Sequence, residues 1–150
     1  MEMLKELKVI NNSMEPMTFM EKYGDLKDFC YVLSMDLSGL KLTSLKGCPQ
    51  YIRGDFSCSK NDLENLVGFP AGVSGVFDCS FNKRLHKTEV LSLCGALKPD
   101  KIKSDLFNSG EISGLYELSR KTEPSCLANL CVKLDYDYEN IKKALELING

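Results

Sequence analysis

The residues that could do chemistry in this chain are few and scattered. His86 is the single histidine among 150 residues. Nucleophilic catalysis would need it within hydrogen-bond reach of a thiol or hydroxyl, with a third group holding the ring. The seven cysteines are Cys30, Cys48, Cys58, Cys79, Cys94, Cys126 and Cys131. Of these, Cys79 falls on an inward strand position and Cys94 on an expected helix, so a Cys/His hydrolase ranks last among the functional readings. Metal-ligand spacing is absent: there is no Cys-x-x-Cys and no histidine pair, and Cys126 and Cys131, five apart, do not share a helical face. The glycines do not precede a helix in a phosphate-cradling loop. No catalytic residue, cofactor or metal is expected.

The elements that would position these residues come from an internal repeat. Displaced by about 21 residues, Leu42 falls on Leu63, Leu45 on Leu66, Gly47 on Gly68 and Pro49 on Pro70. Ile52 falls on Val73, Gly54 on Gly75, Phe56 on Phe77, Cys58 on Cys79, Ser59 on Ser80 and Asn61 on Asn82. Alternation predicts a short strand at Phe56–Cys58, with Phe and Cys inward and Asp55 and Ser57 outward. Stacked units then build one ladder from Met35, Phe56 and Phe77 and another from Leu37, Cys58 and Cys79. Asn61 and Asn82 follow the strands, where an amide side chain can bond backbone groups that a turn leaves unpaired. A Cys58–Cys79 disulfide is geometrically open, since adjacent strands lie ~4.8 Å apart. The odd cysteine count and the inward ladder instead point to reduced thiols packed as small hydrophobes.

The unit Phe-x-Cys-Ser-x-Asn-x-Leu-x-x-Leu-x-Gly-x-Pro resembles the leucine-rich repeat core. Phe56, Cys58, Asn61 and Leu63 fill its last four slots. Val32, Met35, Leu37, Leu40 and Leu42 repeat the spacing one unit earlier, with leucine in the asparagine slot. One unit later, Arg84 stands in a leucine slot and Leu85 comes one residue late. The Gly-Asp-Phe-x-Cys-Ser-x-Asn variant is similar to short leucine-rich-repeat proteins of tailed bacteriophages and some bacteria. The resemblance spans residues 32–85. It implies an α+β solenoid with a small parallel sheet, and a small cytoplasmic protein (in the host cytoplasm if viral) that modulates or inhibits another protein by binding it.

Composition fits one soluble domain. The hydrophobic fraction is 43%, the charged fraction 27% and the formal net charge −2. The absence of a basic run disfavours nucleic acid, and no apolar run reaches the ~18 residues of a membrane span. Residues 1–12 lack the layout of a signal peptide. Residues 1–28 are expected to form an N-terminal helical cap, 29–87 the repeat core and 88–150 a helical C-terminal region. In the first, Glu15–Gly24 reads as a helix with Pro16 in its first turn; Met3 to Ile10 fits helix or strand equally. In the last, Thr88–Leu97, Glu123–Leu134 and Tyr138–Leu147 carry helical spacing, Ile112–Leu118 a turn or two, and Lys101–Ser104 fits a last strand. The helical region serves either as a cap or as part of a binding surface.

The free surface of the expected sheet is acidic. Asp36, Ser57 and Asp78 form one outward column, with Ser34, Asp55 and Val76 beside it. Two carboxylates could serve as an acid–base pair, but equivalent repeat positions imply no pocket. The contact reading assigns Asp36, Asp55, Ser57 and Asp78 to a protein partner with a basic patch. The leading expectation is therefore a monomeric, non-enzymatic binding module, and the rival is a structural or self-assembling protein.

Overall fold

A computed structural model describes residues 2–86, 97–106 and 109–121, with Glu89, Leu93 and Glu146 individually. The strands are short. They are β1 (Glu2–Leu4), β2 (Met17–Thr18), β3 (Phe29–Tyr31), β4 (Met35–Asp36), β5 (Leu42–Ser44), β6 (Tyr51–Ile52), β7 (Phe56–Ser57), β8 (Gly72–Val73), β9 (Phe77–Asp78) and β10 (Ile102–Lys103). Two helices, α1 (Phe19–Tyr23) and α2 (Ser109–Lys121), and a 3₁₀ turn at Pro99–Lys101 accompany them. The result is a mixed α/β fold with parallel sheets and few helices.

The strands pair in three parallel sheets, where the sequence reading expects one. The first runs β1-β3-β6-β8, the second β10-β9-β7-β4, and β2 pairs with β5. Within both larger sheets the register is the sequence period. Cys30 pairs with Tyr51 and Tyr51 with Gly72; Met35 pairs with Phe56 and Phe56 with Phe77. Each repeat unit thus supplies one strand to each sheet. The sheets are extended by less regular elements: β1 against β3, and β10 against β9.

The core lies between the sheets. Met35, Phe56, Phe77 and Ile102 are buried rungs of one ladder, and the Phe56 and Phe77 rings meet at 5.1 Å between centroids, tilted by 41°. Leu37, Cys58 and Cys79 form the neighbouring ladder, and Ile52 and Val73 of the first sheet belong to the same core cluster. The described cysteines Cys30, Cys48, Cys58 and Cys79 are buried free thiols. Cys58 donates its S–H to the Asp78 carbonyl and Cys79 to that of Lys103, at 3.6 and 3.7 Å.

Asparagine joins the units. Asn61 Oδ1 accepts from the N–H groups of Leu40 and Leu42, at 3.0 and 2.9 Å. Its Nδ2 donates to Leu37 O in the preceding unit and to Cys58 O in its own, at 2.8 and 3.0 Å. Asn82 repeats the pattern, accepting from Leu63 N and donating to Cys58 O and Cys79 O. Both side chains are buried, so these bonds satisfy backbone groups that water cannot reach.

Two glycine positions make the stacking possible. Gly47 and Gly68 close equivalent turns at φ +96° and +88°, where a side chain would be strained. Gly54 lies against the unit before it: a Cβ there would sit 2.8 Å from the Ser34 backbone nitrogen.

The N-terminal segment departs from the expected helical cap. Its helix begins at Phe19, not near Pro16, because Thr18 and Glu21 form a capping box: Glu21 N donates to Thr18 Oγ1 and Thr18 N to Glu21 Oε1. Met17 is instead a buried β2 residue paired with Leu42, and Glu2–Leu4 is a strand. On the C-terminal side, the expected strand at Lys101–Ser104 is β10, and Ile112–Leu118 lies within the thirteen-residue α2. The helices expected over 88–97, 123–134 and 138–147 fall on positions of which only Glu89, Leu93, Leu97 and Glu146 are described.

Candidate partner-binding faces

The outward column of the second sheet is where alternation places it. Asp36 pairs with Ser57 and Ser57 with Asp78. Asp36 is exposed, while Ser57 and Asp78 are half-buried. Their side-chain oxygens are already engaged by the backbone two residues on. Asp36 Oδ1 accepts from Ser38 N at 2.9 Å and from the Ser38 hydroxyl at 2.6 Å. Asp78 Oδ1 accepts from Ser80 N at 2.9 Å, and Ser57 Oγ from Ser59 N at 3.4 Å. The two donors from Ser38 hold the Asp36 carboxyl below its usual range. Asp55 belongs to the neighbouring column. It is exposed, and its Oδ1 accepts from Val76 N at 2.8 Å, while its own N–H donates to Ser34 Oγ. The four residues thus serve as turn-makers between and within units, with carboxylate oxygens left over toward solvent.

Cys79 does not supply a nucleophile. It is buried, and burial pushes its thiol up to about 12. Burial also raises Cys58 and Cys48 well above the ordinary thiol range. A thiolate, the reactive form, is therefore scarce at neutral pH. His86 is exposed, its carbonyl accepting from Glu89 N. Cys94, Cys126 and Cys131 lie outside the described residues. Among the described residues there is no cluster of three metal-capable side chains, and no helix is long and apolar enough to cross a membrane.

The outer face of the first sheet is built differently. Its outward column is Met3, Cys30, Tyr51 and Gly72, in register. Met3 is 52% and Tyr51 50% exposed, while Cys30 between them is 5% exposed. Gly72 offers no side chain, and the Tyr51 ring lies against it: a Cβ there would come within 3.0 Å of Tyr51 Cε1. Ile52 and Val73 back the floor, and Arg53 and Ser74 border it in the next outward positions. The result is an open groove of ≈ 540 Å³ with one charged residue, Arg53, in its lining. Neither the Tyr51 hydroxyl nor the Arg53 guanidinium makes a hydrogen bond or ion pair among the described residues, whereas the Arg53 backbone N–H donates to Tyr31 O.

No protein-family model, curated protein or solved structure matches this chain.

Sequence reasoning did not single out this groove. A signal for it exists: Tyr51 and Arg53 flank Ile52, so alternation directs both outward once Ile52 is taken as core. They are also places where the period breaks, since 21 residues on stand Gly72 and Ser74. A further break is Phe81, 59% exposed with φ +60°, where the equivalent residues are Gly39 (φ +67°) and Lys60 (φ +56°).

Proposed function

We propose that this chain is a short solenoid, similar to leucine-rich repeats in the way its units stack, and that it is a non-enzymatic module that binds another protein. The parallel 21-residue register and the asparagine bonds between units support the solenoid reading. The observation that carries the binding reading is the groove on the first sheet. Two half-exposed apolar side chains, Met3 and Tyr51, stand there beside Arg53, which has no ion-pair partner among the described residues. Apolar side chains grouped on a surface and bordered by polar ones mark contact sites more often than scattered ones do. Tyrosine and arginine are also the residue types that anchor protein interfaces. The role that fits is that of a small modulator of a cellular or host protein.

Affinity capture from the cells that express the chain tests this, with Tyr51→Glu as the control. The expected result is a stoichiometric partner retained by the wild type and lost by the variant, with both melting alike. Retention of no partner at any growth stage contradicts the reading. Self-assembly through sheet edges is the second reading, since β4 and β8 end their sheets. Edge strands of two or three residues give little to pair with, so sedimentation at micromolar concentration is expected to show a monomer.

A further inference from the structure

The groove's dimensions and charge restrict what can lie in it. Met3 on β1 and Tyr51 on β6 stand two strand spacings apart, about 10 Å, with Cys30 of β3 between them, so an extended segment lying parallel to the strands fits between the two side chains. Its floor is backbone and buried thiol, and its walls are Met3 and the Tyr51 ring, so it offers dispersion contact and few hydrogen-bond partners. A largely apolar insert is therefore required at its centre. The border supplies the polar specificity. Arg53 is the charged lining residue, and among the described residues no carboxylate lines the groove to neutralise it. Next to β8, the Lys101 ammonium donates to Ser74 O at 2.7 Å, which places a second cation beside the Ser74 end of the groove.

Resting on the protein-binding reading above, we propose that the groove takes an extended segment of another protein in which a large apolar side chain is followed, two residues on, by an aspartate or glutamate. Alternation in an extended segment puts residues i and i+2 on the same side. The apolar side chain then enters between Met3 and Tyr51, while the carboxylate reaches Arg53 two positions along the strand direction. A guanidinium suits this role, because its planar fork matches a carboxylate with two parallel N–H···O bonds. The acidic second-sheet face cannot take such a segment, since like charges would meet there.

The test is an immobilised array of octapeptides bearing a central Leu, Phe or Tyr and, two residues on, Asp, Asn or Lys. It is probed with the full chain, with Arg53→Glu and with Tyr51→Ser, after melts establish that both variants fold. The wild type is expected to favour Asp over Lys peptides about five- to tenfold, as for a partly desolvated charge-assisted pair. Arg53→Glu is expected to reverse that preference, and Tyr51→Ser to weaken binding to all apolar peptides. Binding without charge preference, or a preference unchanged in Arg53→Glu, overturns the proposed partner chemistry and leaves the protein-binding reading standing. An array that stays blank while affinity capture retains a partner overturns the proposal alone; both blank overturn the two together. Preferential binding of the chain to itself in the same assay also overturns it.

Discussion

The two larger sheets share one register and one core, yet their outer faces do opposite things with their side chains. On the second sheet, Asp36, Ser57 and Asp78 each bond back to the N–H two residues on, and Asp55 reaches across to Val76. Those residues hold the turns that let one unit follow another. On the first sheet, Tyr51 and Arg53 bond nothing through their side chains among the described residues, and Met3 and Tyr51 expose about half their surface. A face whose polar atoms are engaged by its own backbone stabilises the fold. A face whose apolar and charged groups are unengaged is available to a partner. The carboxylates that look most available from the sequence are ones that also accept bonds from the chain's own backbone.

The largest expected effects test the frame on which both faces rest. Phe56→Ala should cost about 3–5 kcal/mol in a denaturant melt, since it empties a rung between Met35 and Phe77. Asn61→Ala should cost about 3–4 kcal/mol, because several buried backbone groups lose their partner at once. A loss below about 1 kcal/mol for either would mean that the two sheets do not share a single register.

The second prediction sharpens the contrast itself. Asp36→Lys with Asp78→Lys should lower stability by about 1–2 kcal/mol, one exposed and one partly buried turn bond being lost. Tyr51→Ser with Arg53→Ser should change it by no more than about 0.5 kcal/mol, as for surface positions without partners. Equal melts for the two double variants would remove the difference between the faces. Acid sharpens it further. Asp36 is depressed below its ordinary value of 3.8 by its bonds from Ser38. Its contribution is therefore complete above that value and fades as pH falls toward the folded-state pKa.

Much of this was legible in the sequence, for reasons that residue types make plain. Phe56 and Phe77, Cys58 and Cys79, and Asn61 and Asn82 recur at one offset because each must meet its copy across a strand pair. The second sheet and its outward column follow from that alone. The strands of the first sheet are fainter, since β6 and β8 each bury one residue, Ile52 or Val73, and glycine or a variable residue stands beside it. The groove hides in those variable places. Pairing of β1 with β3 joins residues far apart in sequence, and the mixed spacing of Met3 to Ile10 carries no sign of it. At α1 two start signals compete: Pro16 suits a first turn, but Thr18 and Glu21 supply the reciprocal bonds that decide the start.

A further prediction concerns a break in the period. Phe81 holds an aromatic side chain at φ +60°, where Gly39 serves one unit position and Lys60 another. Phe81→Gly should raise stability by about 0.5–1 kcal/mol by relieving the left-handed strain. A loss of stability instead would mean that the ring contributes packing beyond its exposed position.

The comparison of faces is tested most directly by site-specific photo-crosslinking in the cells that express the chain. A benzophenone amino acid is placed at position 51 in one experiment and at position 57 in another. Position 51 lies on the open first-sheet groove and position 57 in the middle of the turn-making column, so the two probes report the two faces separately. The account predicts a discrete adduct with another protein from position 51, lost when Arg53→Glu is added, and none from position 57. An adduct from position 57 with none from position 51 would contradict it.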